Sequence, residues 1–210
     1  MQPVRIAVLA SGGGTNLQAL IDKQQEGYFN GSVELVLSNI KAAYALERAR
    51  QNGIEAISLS KKDYDSSEAF DEKLIAILAE HRIDLIVLAG YLRILTPKLI
   101  AAYKNRILNI HPSLLPAFGG DGFYGMRVHE AVYAAGVKVS GATVHFVDEG
   151  IDSGLIVLQK AIPLGEHWLP EEIQAAVLKV EHELLPEAVK LFCERSIEIK
   201  GNRVTTGGKG

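Results

Sequence analysis

The 210-residue sequence predicts an α/β fold, a doubly wound and mostly parallel sheet with helices on both faces and an antiparallel C-terminal extension. Three observations carry that expectation. Short apolar strand-like runs alternate with helical periodicity over the first half of the chain, the order that builds β-α-β units with right-handed crossovers. Residues 84–89 are apolar almost without interruption, as in a strand buried on both faces. Glycine-rich and polar stretches follow strands, at the carboxyl ends where such sheets bind ligands.

Residues 4–10 read as a buried strand, followed by a glycine turn and a helix over about 16–26. Strands at 33–37 and 56–59 flank a helix over 42–52, which Gly53 stops. The helix over 66–80 has Ser66 or Ser67 as N-cap and sets Phe70, Leu74, Ile77 and Leu78 on one face. After the 84–89 strand, a short helix over about 97–103 leads to a strand at 106–110. Pro112 and Pro116 then end that strand and stiffen its exit, since neither can donate to a sheet ladder.

Residues 117–125 hold four glycines in nine positions and read as a mobile or specially shaped loop. A helix over 127–135 precedes two long strands, 138–147 and 155–164, joined antiparallel through the turn-rich residues 148–154. Pro170 opens a helix to about residue 194, with Ile173, Val177, Leu184 and Val189 inward and a kink at Pro186. The last residues form a hairpin about Gly201-Asn202, and 205–210 are expected to be disordered. The regular alternation implies one domain over 1–195, in two halves at 1–110 and 111–195, and then the hairpin and tail at 196–210.

Composition excludes several classes. The hydrophobic share of 48% and charged share of 22% are ordinary for a globular protein, and a net charge of -3 with dispersed Lys and Arg gives no footprint for nucleic acid or an anionic membrane. No apolar run approaches the ~18 residues that span a bilayer. The N-terminus runs straight into a strand without signal-peptide regions, so a cytoplasmic location is expected. The one cysteine, Cys193, excludes intrachain disulfides and a multi-cysteine metal site and reads as a small core residue. With H-E-x-x-H spacing also absent, no metal is expected.

The most informative stretch is Leu108-Asn109-Ile110-His111-Pro112-Ser113-Leu114-Leu115-Pro116. In extended backbone, residues i and i+2 share a face, so Asn109 and His111 point together, an amide and an imidazole suited to a developing oxyanion. An isolated N-x-H is more often a hydrogen-bonded core pair, but two polar groups among Ile107, Leu108 and Ile110 are costly without partners. Asp152 lies in a Gly-Ile-Asp-Ser-Gly turn; facing His111, it would raise the imidazole pKa and supply a protonated donor near neutral pH.

Ser11-Gly12-Gly13-Gly14-Thr15-Asn16 joins the first strand to the first helix, where backbone N–H groups and the helix terminus attract an anion. The alternative is a plain turn capped by Thr15 or Asn16. The spacing fits neither the dinucleotide nor the P-loop pattern, which leaves a monophosphate. This turn and the Asn109/His111 pair both fall at strand carboxyl ends and are expected to face one cleft. His145, mid-strand, reads as a satisfied core or supporting residue; His81, His129 and His167 read as surface or element-end residues; Glu181 reads as part of a solvated helix face.

Taken together, Ala10-Ser11-Gly12-Gly13-Gly14-Thr15-Asn16-Leu17-Gln18, Leu88-Ala89-Gly90-Tyr91-Leu92-Arg93-Ile94-Leu95, the Asn109 to Pro116 block, and His145-Phe146-Val147 followed by Asp152 resemble the glycinamide ribonucleotide formyltransferase family, in the family's order from residue 5 to about 192. The resemblance implies transfer of a formyl group from 10-formyltetrahydrofolate to the amine of glycinamide ribonucleotide, a step of purine synthesis, by a monomer or homodimer. It implies that Gly13, Gly14, Thr15 and Asn16 hold the ribonucleotide phosphate and that Glu181 contacts the glycinamide amine. It assigns Leu92, Arg93, Ile94 and Leu95, with Asn109 and with Asp148, Glu149, Gly150 and Ile151, to the folate, and Asn109, His111 and Asp152 to catalysis.

The chain departs from the family's pattern at Ser67, where many members carry a basic residue for the folate tail, which implies either weaker tail binding or Lys61 or Lys62 in its place. It departs again at 117–125, which replaces a shorter Pro-Gly-Leu-His loop. Two rival readings remain: a formyltetrahydrofolate deformylase, with the same trio passing formyl to water, and a noncatalytic sugar-phosphate-binding module. Methionyl-transfer-RNA formyltransferase shares the central block but would need a further C-terminal domain and a basic surface.

Overall fold

The computed structural model describes residues 2–207, and the chain divides into two compact units after Asn109. The first unit holds β1 (Val4–Leu9), α1 (Thr15–Gln25), β2 (Gly31–Ser38), α2 (Tyr44–Gln51), β3 (Glu55–Ser58), α3 (Ser67–Glu80), β4 (Leu85–Leu88), α4 (Pro97–Ala102) and the start of β5 (Ile107–His111), whose last two residues open the second. Its strands run parallel in the order β3-β2-β1-β4-β5. From β1 the chain winds outward to β2 and β3, then returns to β4 and continues to β5 on the other side. Right-handed crossovers therefore put α1 and α2 on one face and α3 and α4 on the other, as the doubly wound expectation requires. The order reverses between β1 and β4, so their carboxyl ends, Ser11–Asn16 and Gly90 onward, flank a topological switch point.

All four residues of β4 are buried, which explains its lack of alternation. Ile6, Leu9, Leu17, Leu20, Leu35, Phe70 and Leu74 fill this core, each such side chain contributing about 1.5–3 kcal/mol relative to exposure. Helix α3 starts where its sequence dictates. Ser66 takes an extended conformation and its hydroxyl accepts the Ala69 N–H at 3.0 Å.

The second unit contains α5 (Met126–Ala134), β6 (Val139–Phe146), β7 (Ile156–Pro163), α6 (Pro170–Cys193), β8 (Ile197–Lys200) and β9 (Arg203–Thr206). Strands β6 and β7 pair antiparallel from Val139 opposite Pro163, with a register shift at Val144/His145. Helix α6 packs on both strands and on α5, burying Ile173, Val177, Leu184, Val189 and Cys193. β8 and β9 form the hairpin about Gly201, whose φ of 61° suits glycine.

Three sequence expectations are corrected. Thr205 and Thr206 belong to β9 rather than to a disordered tail, because cross-strand pairing reaches Ile197↔Thr206; residues 208–210 lie outside the described residues. His129 is buried at 2% exposure, not on the surface, because it falls on the inner face of α5 beside Val128 and Val132. Glu181 is likewise buried, on the face of α6 that carries Val177 and Leu184.

Candidate active site

β5 delivers Asn109, half-buried, and His111, buried, on one face of its last turn of pleat. Beyond it the chain passes a cis Leu115–Pro116 bond and is pinned from β6: the Thr143 hydroxyl donates to the Ser113 carbonyl at 2.6 Å and accepts the Leu115 N–H at 3.1 Å. The Ser113 hydroxyl in turn donates to the Ala117 carbonyl at 2.6 Å. These bonds bring the glycine-rich loop back over the strand end. His111 Nε2 donates to the Phe118 carbonyl at 2.8 Å, and the Gly120 N–H donates to Asp152 Oδ2 at 3.0 Å.

Asp152 reaches the same place from the turn after β6. Asp148 Oδ1 accepts from the Gly150 N–H at 3.1 Å and from the Ser153 hydroxyl at 2.7 Å, folding the turn tightly. A Cβ on Gly154 would lie 1.8 Å from the Phe146 carbonyl oxygen, so only glycine lets the turn close there. Asp152 itself has φ 55°, a left-handed conformation that aspartate tolerates better than most residues. Its carboxylate sits between two imidazoles, with Oδ2 3.4 Å from His111 Nδ1 and Oδ1 3.6 Å from His145 Nε2. His145, weighed from sequence as core or supporting, is thus a neighbour of the pair. The register shift at Val144/His145 marks the place where β6 re-aims its side chains.

Electrostatics correct one expectation. Burial pushes the His111 pKa below its ordinary value, and the Asp152 charge and the Phe118 carbonyl, which both favour the imidazolium, do not offset it. Residue order shows the carboxylate but not the desolvation that outweighs it. Neutral His111 with its proton on Nε2 fits the geometry, a short bond to a carbonyl and a longer approach of Nδ1 to the carboxylate. For Asp152, burial disfavours the charged form, but His145, His111 and the Gly120 N–H together outweigh it and hold the carboxyl below its ordinary range. His129, missed from sequence as a buried group, is pushed down to about 4 by burial and secondarily by the charge of His111.

In the first unit, Gly14 occupies the cap position of α1 with φ 71°, and no side chain caps the helix. Thr15 and Asn16, the cap candidates, stand inside the helix instead. No acidic residue lies in the first turn of α1. Helix α2 holds two loop carbonyls, with the Ala45 N–H donating to Gly12 at 3.1 Å and Arg48 Nε to Gly13 at 2.8 Å. Because C=O and the following N–H point opposite ways in a trans peptide, this turns the N–H groups of Gly13 and Gly14 away from α2, as an anion-binding loop needs.

Residues 92–95 lie between β4 and α4. Leu92 and Ile94 are exposed, Leu95 is buried, and the Arg93 side chain turns inward to α3. In the second unit Glu149, Gly150 and Ile151 are exposed at the turn that carries Asp152, and Glu181 is buried on α6. Among the described residues no cluster of three or more His, Cys, Asp or Glu side chains has metal-binding geometry, and no helix is long and apolar enough to cross a membrane.

A comparison with known proteins bears on these groups. The family model described as Formyl transferase matches residues 4–189. The chain belongs to the formyl transferase family. It is 40% identical to the phosphoribosylglycinamide formyltransferase of Bacillus subtilis over 89% of this chain and 93% of that protein. It is also 40% identical to the chloroplastic phosphoribosylglycinamide formyltransferase of Vigna unguiculata over 92% of this chain, but spans only 62% of that longer protein. A crystal structure of glycinamide ribonucleotide transformylase 1 from Symbiobacterium toebii superposes with a TM-score of 0.92 at 44% identity, covering 98% of this chain and 94% of that one. This formyl transferase thus has the α/β architecture of a solved transformylase.

Proposed function

We propose that the chain transfers the formyl group of 10-formyltetrahydrofolate to the amine of glycinamide ribonucleotide. The observation that carries the reading is the His111–Asp152 pair at the end of β5, with Asn109 two residues earlier on the same strand. Full-length relatives named for this transfer support it over the deformylase and over a noncatalytic binding module.

In this reading Gly13, Gly14, Thr15 and Asn16 hold the ribonucleotide phosphate, and Glu181 meets the amine. Leu92, Arg93, Ile94 and Leu95 take the pterin together with Asn109, and Asp148, Glu149, Gly150 and Ile151 complete the folate contacts. The amine nitrogen attacks the formyl carbon, a C–N bond forms, and the carbonyl oxygen becomes an oxyanion that Asn109 and His111 stabilise by hydrogen bonds. His111 rests neutral, so the charge it needs arises during the step: the nitrogen becomes strongly acidic as its new bond forms, and the negative oxygen raises the proton affinity of the imidazole. Asp152, beside Nδ1, stabilises the imidazolium as it forms and helps move the amine proton through water. When the bond to folate N10 breaks, the proton ends on N10 and tetrahydrofolate leaves. The substrates are small molecules, and the chain acts as a monomer or homodimer in the cytoplasm.

The test follows tetrahydrofolate formation from 10-formyltetrahydrofolate with and without glycinamide ribonucleotide. Formation that requires the amine is expected. Equal formation without it means a deformylase, and none in either mixture means a binding module.

A further inference from the structure

Asp71 has no part in the chemistry above, yet it is a carboxylate on α3 with no solvent exposure. Its Oδ2 accepts the Thr96 N–H at 2.7 Å within the core. Arg93 Nη2 lies 3.5 Å from Oδ1 and also donates to the Ser67 carbonyl at 3.3 Å, while the guanidinium stacks 4.0 Å from the centre of the Phe70 ring. One carboxylate therefore grips residues 93 and 96 together. At the preceding position the Leu92 N–H donates to the Ser11 hydroxyl at 2.9 Å, and that hydroxyl donates to Asn39 Oδ1 at 2.6 Å. A segment without regular structure is thus fixed at Leu92, Arg93 and Thr96, while Leu92 and Ile94 stand outward at 57% and 65% exposure.

Stability does not account for this arrangement. Taking both charges out of water costs so much that apolar residues of similar size often serve a core as well or better. What the pair supplies is geometry: a planar guanidinium held on one side by a ring and on another by a carboxylate has one orientation, and the backbone it hangs from follows. A ligand read by backbone N–H and C=O groups needs that backbone fixed to within a fraction of an ångström.

We propose that Asp71 is a positioning residue for folate binding, acting through Arg93 and the Thr96 N–H to set the backbone of residues 92–95. The proposal rests on the assignment of that segment to the folate. Two variants test it. Asp71→Asn keeps an acceptor for Thr96 and removes the charge, and Phe70→Leu keeps an apolar side chain and removes the ring on which the Arg93 guanidinium stacks. Each is expected to raise the KM for 10-formyltetrahydrofolate, and the Kd for tetrahydrofolate by calorimetry, about tenfold or more. The KM for glycinamide ribonucleotide and kcat at saturation should stay within about threefold, a split that general loosening of the fold would not produce. The double variant should be no worse than the poorer single one, because both cut the same clamp. Should Asp71→Asn fail to fold, Phe70→Leu decides alone. Folate KM and Kd unchanged in a folded variant, or both substrate KM values rising together, would overturn the positioning role while leaving formyl transfer by the unaltered enzyme intact. Failure of the unaltered enzyme to bind tetrahydrofolate would overturn the folate assignment as well.

Discussion

Replacing Asp152 with asparagine isolates the electrostatic part of the proposed catalyst. The amide keeps nearly the shape of the carboxylate and still accepts the Gly120 N–H, now 3.0 Å from Oδ2, so the loop stays anchored. What disappears is a negative charge 3.4 Å from His111 Nδ1, in a site where the Asp152 side chain is 12% exposed. At that separation, with an effective dielectric of about 20, the attraction for an imidazolium is worth about 5 kcal/mol, and residual solvent access reduces this to about 3–5 kcal/mol. Because the charge on His111 is needed only as the oxyanion forms, the loss falls on kcat, by about 10²- to 10³-fold or more, with little change in either KM. The already lowered His111 pKa should fall further. Steady-state kinetics and a histidine NMR titration of the purified variant measure both effects. A kcat within about threefold of the parent, or a His111 pKa that does not move, would refute the reasoning.

Removing Asn109 or His111 as alanine should lower turnover by about 10²- to 10⁴-fold without loss of fold, as circular dichroism and initial rates would report. Gly14→Ala should lose about 1–2 kcal/mol or more in urea unfolding, since φ is 71° and the new Cβ would sit 2.8 Å from Ala45 Cα and Cβ. Gly13→Ala has open space and should change stability by under about 0.5 kcal/mol, yet raise the KM for the ribonucleotide by crowding its phosphate. His129, held at about 4 when folded against an ordinary 6.5, binds its proton more readily unfolded. Its contribution is therefore present above pH 6.5 and lost as the pH falls toward 4, up to about 3 kcal/mol. Unfolding curves of the parent and His129→Gln across that range should diverge in slope; parallel curves would contradict it.

Much of the fold was legible because strong local signals coincide with tertiary ones. β4 could be read from an unbroken apolar run, α3 from Ser66 and the spacing of Phe70, Leu74, Ile77 and Leu78, and the hairpin from Gly201-Asn202. The approach of Asp152 to His111 is implied by the family resemblance, since residue order alone leaves a turn aspartate free to face elsewhere. What the sequence could not show depends on surroundings. A histidine or glutamate on an amphipathic helix looks alike on either face until its neighbours are known, and both His129 and Glu181 turn inward. The sign of the His111 shift depends on how much water the folded loop excludes, a quantity absent from residue order. Asp71 gave no signal at all, since an acid in the first turns of a helix is commonplace.

The fate of the formyl carbon separates transfer to the amine from loss to water. With 10-formyltetrahydrofolate labelled with ¹³C in the formyl group, NMR of a mixture containing enzyme and glycinamide ribonucleotide should show the label appear as an N-formyl amide on the ribonucleotide. Release of the label as free formate, at one rate whether or not the amine is present, would contradict formyl transfer to the ribonucleotide.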